Sequence, residues 1–219
     1  MNSGNYRVAR NRLVQYLHDE IKIDDQRLLA VFNSVPRERF VDSALGVMAY
    51  KDAALPIGYN QTISKPSTVA IMTAALRLQG HERILEIGTG SGFQTAILAG
   101  LVREVYSIER LAVLSQFAQT RLDNLKITNA YLRIGDGHIG WAEQQPYHGI
   151  IITAFMTDPP FHLLDQLTPG FGRIVFPMGT EQNQQLYLLV YKNHQPELIH
   201  LNSCLFVPMI TSNPERISG

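Results

Sequence analysis

The chain has 219 residues, 45% of them hydrophobic, enough to bury a full core as one domain. Its 19 basic and 19 acidic side chains cancel, so no net field holds a polyanion and nucleic acid is not an expected partner. One cysteine, Cys204, excludes an internal disulfide, no apolar run approaches the roughly 20 residues of a membrane span, and Met1 to Arg12 holds no signal-peptide core, so a monomeric cytoplasmic protein without a membrane partner is expected.

The first third reads as a helical portion, roughly residues 1–55, separate from the sheet. Leu13, Leu17 and Ile21 recur at helical spacing, and Leu28, Val31, Phe32 and Val35 continue such a face after Asp24 and Asp25, which can cap the second helix. Pro36 ends that run, and Pro36-Arg37-Glu38-Arg39-Phe40-Val41 leads through a turn at 50–54 into Leu55-Pro56-Ile57-Gly58. Gln61-Thr62-Ile63-Ser64-Lys65-Pro66 then precedes a helix whose Val69, Met72 and Leu76 share a face. Ser64 stands where an N-cap would, with Pro66 in the first turn. Two roles stay open for it: a cap, or a hydroxyl at a helix start that donates to a substrate carboxylate.

The centre of the chain is Arg83-Ile84-Leu85-Glu86-Ile87, then Gly88-Thr89-Gly90-Ser91-Gly92, then Phe93 to Ala99: strand, tight turn and helix. The glycines permit a sharp turn and a close ligand approach to main-chain N–H groups. A dinucleotide fingerprint needs G-x-G-x-x-G, whereas Phe93 holds the place of the third glycine and Gly92 comes one residue early, which weakens an NAD assignment. An acidic residue followed by G-x-G-x-G resembles the first motif of class I S-adenosylmethionine methyltransferases. Glu109 closes the next apolar run, 21 residues beyond Gly88, where a carboxylate can accept bonds from both ribose hydroxyls.

The alternation of strand and helix continues. Leu111, Leu114, Ala118, Leu122 and Leu125 form a helix face, and Ala130 to Ile134 is the third strand. Asp136, between Gly135 and Gly137 at that strand's C-terminal end, is either a turn former or an adenine contact. Gly149 to Thr153 is a fully apolar fourth strand, followed by a helix near Phe161 to Leu167, a strand at Arg173 to Phe176, and final strands around Leu186 to Tyr191 and Leu198 to Val207. The fold class is therefore α/β: a doubly wound, Rossmann-like sheet of about seven strands with helices on both faces. The seven histidines show no H-x-H or H-x-x-x-H pair, so no metal site is expected. Asp158-Pro159-Pro160-Phe161 resembles an amino-methyltransferase motif but lies four residues too far beyond Thr153, and Trp141 reads as packing or as a border of the adenine pocket.

From about Val35 to Met209 the chain resembles the protein-L-isoaspartate O-methyltransferase family. The resemblance rests on Val35 to Val41, Leu55 to Gly58, Gln61 to Ser64, Glu86 to Gly92, Gly135-Asp136-Gly137, Thr153-Ala154 and Phe206-Val207-Pro208, in that order, the Gln-Thr-Ile-Ser element being the most specific. It implies methylation of the α-carboxylate of isoaspartyl residues in peptides and proteins, with S-adenosylmethionine as cofactor and S-adenosylhomocysteine as product. Ser64 matches the family's active-site serine, and with Ser67 and Val207 would meet the substrate. Thr62, Ile63, Glu86, Gly88, Thr89, Gly90, Ser91, Gly92, Glu109, Arg110, Asp136, Gly137 and Thr153 would meet the cofactor. The ester formed would leave and collapse to a succinimide without the enzyme.

Such chemistry asks for alignment alone, because a carboxylate is already an anion at neutral pH and needs no general base. Four positions depart from the family pattern. Asn60 stands for glycine, Ser67 for tyrosine or histidine, Phe155 for alanine and His148 for aspartate. Asn at position 60 suits a positive φ, and Ser67 is expected to leave the groove looser than an aromatic ring would. An altered groove serving another carboxylate, a small molecule or a binding role is the alternative.

Overall fold

The computed structural model describes residues 3–169, 171–192 and 195–210. Helices α1 (Ser3–Asp19) and α2 (Gln26–Ser34) come first, and Asp25 caps α2 by accepting the N–H groups of Arg27 at 2.9 Å and Leu28 at 3.1 Å. Two 3-10 helices (Arg37–Phe40 and Ser43–Met48) lead into a hairpin of β1 (Leu55–Gly58) and β2 (Gln61–Ile63), then α3 (Pro66–Ala75). Tyr59 and Asn60 form the hairpin tip, both at φ 55°, a left-handed pair matching the twist of a two-residue turn. Asn60 thus has a positive φ, which Asn tolerates better than other residues with a side chain.

The main sheet has the order β5-β4-β3-β6-β7-β8-β9. Strands β3 (Arg83–Ile87), β4 (Glu104–Glu109), β5 (Ala130–Ile134), β6 (Gly149–Ile152) and β7 (Phe171–Gly179) run parallel, and β8 (Gln184–Lys192) and β9 (Gln195–Cys204) complete it antiparallel. Because β4 and β5 lie on one side of β3 and β6 lies on the other, the chain changes direction at the C-terminal ends of β3 and β6, where open α/β sheets form their ligand crevice.

Side chains of the central strands alternate between two cores. Ile84, Val105, Ile151 and Val175 face a core built with α1, α2, α3 and α4 (Phe93–Ala99), to which α5 (Ala112–Asn124) adds Leu122. The N-terminal helices are therefore not separate from the sheet: Leu13, Leu17, Leu28 and Phe32 belong to the same apolar cluster as its strands. Leu85, Ile87, Ile150, Ile152, Ile174 and Phe176 face the opposite core, closed by Leu163 of a 3-10 helix (Phe161–Gln166), by Leu167 just after it, and by Tyr147. The helix expected near Phe161 to Leu167 takes this tighter form. Trp141 packs perpendicular to Tyr106, with ring centroids 5.7 Å apart, and holds the Arg133 guanidinium over its ring, so it belongs to packing.

His148 immediately precedes β6 and acts as an acceptor. Its Nδ1 accepts the Arg83 N–H at 3.1 Å, and burial holds its pKa below the ordinary value, keeping that nitrogen unprotonated. Cys204 ends β9 half-buried, and burial pushes its thiol up to about 11.

Candidate functional site

The cleft at the switch point has a cavity volume of about 110 Å³ and is open to solvent. One wall comes from β3 and the glycine turn. Gly88, Gly90 and Gly92 have φ of 96°, 53° and 87°, left-handed values that a side chain resists. At Gly88 a Cβ would also lie 2.3 Å from the Thr153 hydroxyl oxygen, and that hydroxyl donates to the carbonyls of Ile87 and Gly88, tying the end of β6 to the turn. Gly92 is set back from the cleft beneath the turn, where its missing side chain lets α5 pack close: a Cβ would come 3.1 Å from that of Ala118.

Glu109, at the end of β4, presents a buried carboxylate to the cleft. Its Oε2 accepts the Gly90 N–H at 2.8 Å and its Oε1 the Leu111 N–H at 2.9 Å. Each oxygen keeps a lone pair for an incoming hydroxyl, and the two main-chain bonds fix its orientation beforehand. Apolar Ile87, Ile108 and Leu111 flank it, with Arg110 and Gly137 on the same wall. Gly137 must be glycine, because a Cβ there would meet Ile87 Cγ2 at 2.3 Å. A carboxylate beside apolar side chains and a polar glycine turn suits a ligand with vicinal hydroxyls, a flat apolar ring and a polar end.

The opposite wall comes from Gln61, Thr62, Ile63 and Ser64, and from Val207 to Ile210. Ser64 follows β2 directly but does not cap α3. The cap position is Lys65, which makes no side-chain cap bond, and Asp52 performs that task from a distant turn: its Oδ1 accepts the Ser67 N–H at 2.8 Å and its Oδ2 the Ser67 hydroxyl at 2.8 Å. Among the described residues no hydrogen bond engages the Ser64 hydroxyl, so it stands free on the cleft wall. Val207 is held there by the Phe155 N–H, which donates to its carbonyl at 2.9 Å, while the Met209 N–H donates back to Phe155 at 2.8 Å.

Four residues expected to meet a ligand do not line the cleft. Glu86 is fully buried beneath the turn, where its Oε2 accepts the hydroxyls of Thr95 at 2.5 Å and Ser107 at 2.6 Å. It reaches the turn only through Ser107, which is bonded to Thr89 at 2.6 Å. Asp136 accepts the His138 N–H at 2.9 Å through Oδ1, capping a one-turn 3-10 helix (Gly137–Ile139). Gly92 serves packing as described. Ser67 is buried, and its hydroxyl is committed to Asp52; the expectation that it leaves the groove loose is therefore corrected, since its side chain does not border the groove. Asp158 and Phe161 also lie off the cleft wall.

Sequence reading assigned no ligand role to Val69, Gln94, Ala154, Met209 or Ile210, which also line the cleft. Gln94 was detectable as one of two polar residues, with Thr95, on an otherwise apolar helix; its amide donates to the Thr73 hydroxyl at 3.0 Å. Met209 and Ile210 carry no signal beyond their place after Val207.

Comparison with known proteins gives a consistent result. A model of the family described as protein-L-isoaspartate(D-aspartate) O-methyltransferase matches residues 8–214. The protein-L-isoaspartate O-methyltransferase of Pseudomonas fluorescens is 48% identical over 203 residues, covering 92% of this chain and 95% of that protein. The protein of the same name from Trichlorobacter lovleyi is 47% identical over 208 residues, 94% and 95% of the two chains. A solved protein-L-isoaspartate O-methyltransferase superposes with a TM-score of 0.82 at 26% identity, over 91% of this chain and 65% of its own.

Proposed function

Since this chain belongs to the protein-L-isoaspartate(D-aspartate) O-methyltransferase family, we propose that it transfers a methyl group from S-adenosylmethionine to the α-carboxylate of L-isoaspartyl residues in damaged proteins and peptides. The observation that carries this reading is the free Ser64 hydroxyl sharing one cleft with the Glu109 carboxylate and the Gly88 to Ser91 turn. S-adenosylmethionine, when bound, supplies a methyl group already activated by the sulfonium charge.

The chain's own residues then bind, orient and exclude water. Glu109 accepts the ribose hydroxyls with the lone pairs its main-chain bonds leave unused. The glycine turn borders the amino-acid end, and Ile87, Ile108 and Leu111 border the adenine. Thr62, Ile63 and Thr153 close the cleft around the reacting centre. Ser64 donates its hydroxyl to the substrate carboxylate and fixes which oxygen points at the methyl carbon, while the Val207 segment contributes main-chain groups to the peptide. No base is required, because a carboxylate with a pKa near 4 is an anion at neutral pH. Acting as a monomer in the cytoplasm, on peptide and not nucleic acid, is part of the same reading, supported by the balanced charge and the lone thiol.

Kinetics with an isoaspartyl peptide separate the two halves of the cleft. Ser64→Ala lowers turnover by about 10- to 1000-fold with cofactor affinity unchanged, as loss of one oriented donor does. Glu109→Ala weakens S-adenosylmethionine binding by about 1.5–3 kcal/mol, the worth of a hydrogen bond to a charged group. Full turnover in Ser64→Ala, or unchanged cofactor affinity in Glu109→Ala by calorimetry, would contradict the assignment.

A further inference from the structure

The Pro36 to Val41 motif and the turn that follows it lie outside the cleft wall, yet they hold part of it in place. Arg37 is 1% exposed, and its Nε donates to the Ala49 carbonyl at 2.7 Å and its Nη2 to the Ala53 carbonyl at 3.3 Å. The guanidinium therefore staples the Ala49 to Ala53 turn from the inside, and it lies 4.9 Å from the centre of the Phe93 ring, the first residue of α4 and a neighbour of the glycine turn. Asp52 sits on the stapled turn. It accepts both the N–H and the hydroxyl of Ser67 at 2.8 Å, with Tyr16 donating to the same carboxylate at 3.4 Å.

We propose that Asp52, held by the Arg37 staple, is a positioning residue for Ser64: it caps α3 from outside the helix, fixing the Ser64-Lys65 link between β2 and α3 and leaving the Ser64 hydroxyl uncommitted for substrate. The proposal rests on the role given to Ser64 above. A helix start needs acceptors for its first N–H groups, and the usual source is a short polar side chain just before the helix. Ser64 is the nearest such residue upstream of α3, and it is not used. A carboxylate 15 residues away satisfies the Ser67 N–H instead, so the hydroxyl that local chemistry would spend on the cap is left unengaged on a residue that lines the cleft. The geometry also couples the two halves of the cleft, because Arg37 touches the Asp52 turn on one side and Phe93 on the other.

The test measures kcat and KM on an isoaspartyl peptide, and S-adenosylmethionine affinity by calorimetry, in Ser64→Ala, Asp52→Ala, Asp52→Asn and the double variant Ser64→Ala with Asp52→Ala. Asp52→Ala is expected to lower kcat by about 10- to 100-fold, the scale of a misplaced aligning group, with cofactor affinity retained. Asp52→Asn, whose amide oxygen still accepts the Ser67 N–H, recovers most of that loss. The double variant is no slower than Ser64→Ala alone, because the two residues act through one hydroxyl. Parental kcat in Asp52→Ala, or losses that multiply in the double variant, would overturn the proposal while leaving the role of Ser64 standing. Parental kcat in Ser64→Ala would instead remove the reading on which it rests. Should Asp52→Ala not fold, Ser67→Ala removes one of the two bonds to Asp52 and keeps the amide bond: a fall in kcat at constant cofactor affinity supports the proposal, and unchanged kcat overturns it.

Discussion

Glu86 shows how one buried residue shapes the cofactor half of the cleft without touching it. Its Oε1 has no partner among the described residues, and burial pushes its carboxyl up from 4.5 to about 8; the Ser107 and Thr95 hydroxyls pull the other way, and nearby Glu109 adds to the rise. A folded-state pKa above the unfolded one means that this group's contribution to stability is fully present below pH 4.5 and is lost as pH rises through about 8. A tenfold change in proton affinity is worth about 1.4 kcal/mol, so the loss is on the order of a few kcal/mol. Glu86→Gln keeps an acceptor for the two hydroxyls and cannot ionise. Denaturation midpoints measured from pH 5 to pH 8 should fall with rising pH in the parent chain and fall less steeply in Glu86→Gln; parallel curves would show that the carboxyl is not the titrating group.

At the scale of elements, the substrate wall is a segment hung on clamps from strands far away in the chain. The Gln184 side chain, 2% exposed at the start of β8, accepts the Phe206 N–H at 2.6 Å and donates to the Phe206 carbonyl at 3.1 Å. Beyond it, Phe155 brackets Val207 and Met209 through its own main chain. Gln184→Leu, similar in size and without an amide, leaves two buried main-chain groups unpaired, at a cost of about 1–3 kcal/mol each. The expected result is a lower melting temperature and a raised KM for isoaspartyl peptide, with cofactor affinity unchanged; an unaltered KM would mean that the Phe155 bracket alone holds the wall. These clamps were not legible beforehand. Bonds such as Gln184 to Phe206 and Asp52 to Ser67 join segments whose pairing no local periodicity encodes. The hairpin of β1 and β2 escaped for a related reason, since strands of four and three residues, one containing Pro56, lack the alternation that marks a strand.

Across the whole molecule, what could be read from the chain was what hydrophobic pattern and glycine spacing dictate. Strands β3, β4, β5 and β6 announce themselves as short apolar runs, each punctuated by glycine or a terminal acidic residue, and the turn at Gly88 to Gly92 fixes where the parallel sheet opens. Ser64, Glu109 and the glycine turn lie together because α/β topology brings the ends of β3, β4 and β6 to one crevice, and the hairpin lays Ser64 beside them. Ser67 stood apart from this pattern: it was placed by motif position alone, and its side chain is committed to Asp52, a contact that only the folded chain reveals. The central claim is that this cleft aligns an isoaspartyl α-carboxylate for methyl transfer. Its most direct test is transfer of labelled methyl from S-adenosylmethionine to a peptide containing one isoaspartyl residue, against the same peptide with a normal aspartyl residue at that position. Label should appear as base-labile ester on the isoaspartyl peptide and remain at background on its aspartyl twin; equal labelling of both, or none with cofactor shown to be bound, would contradict it.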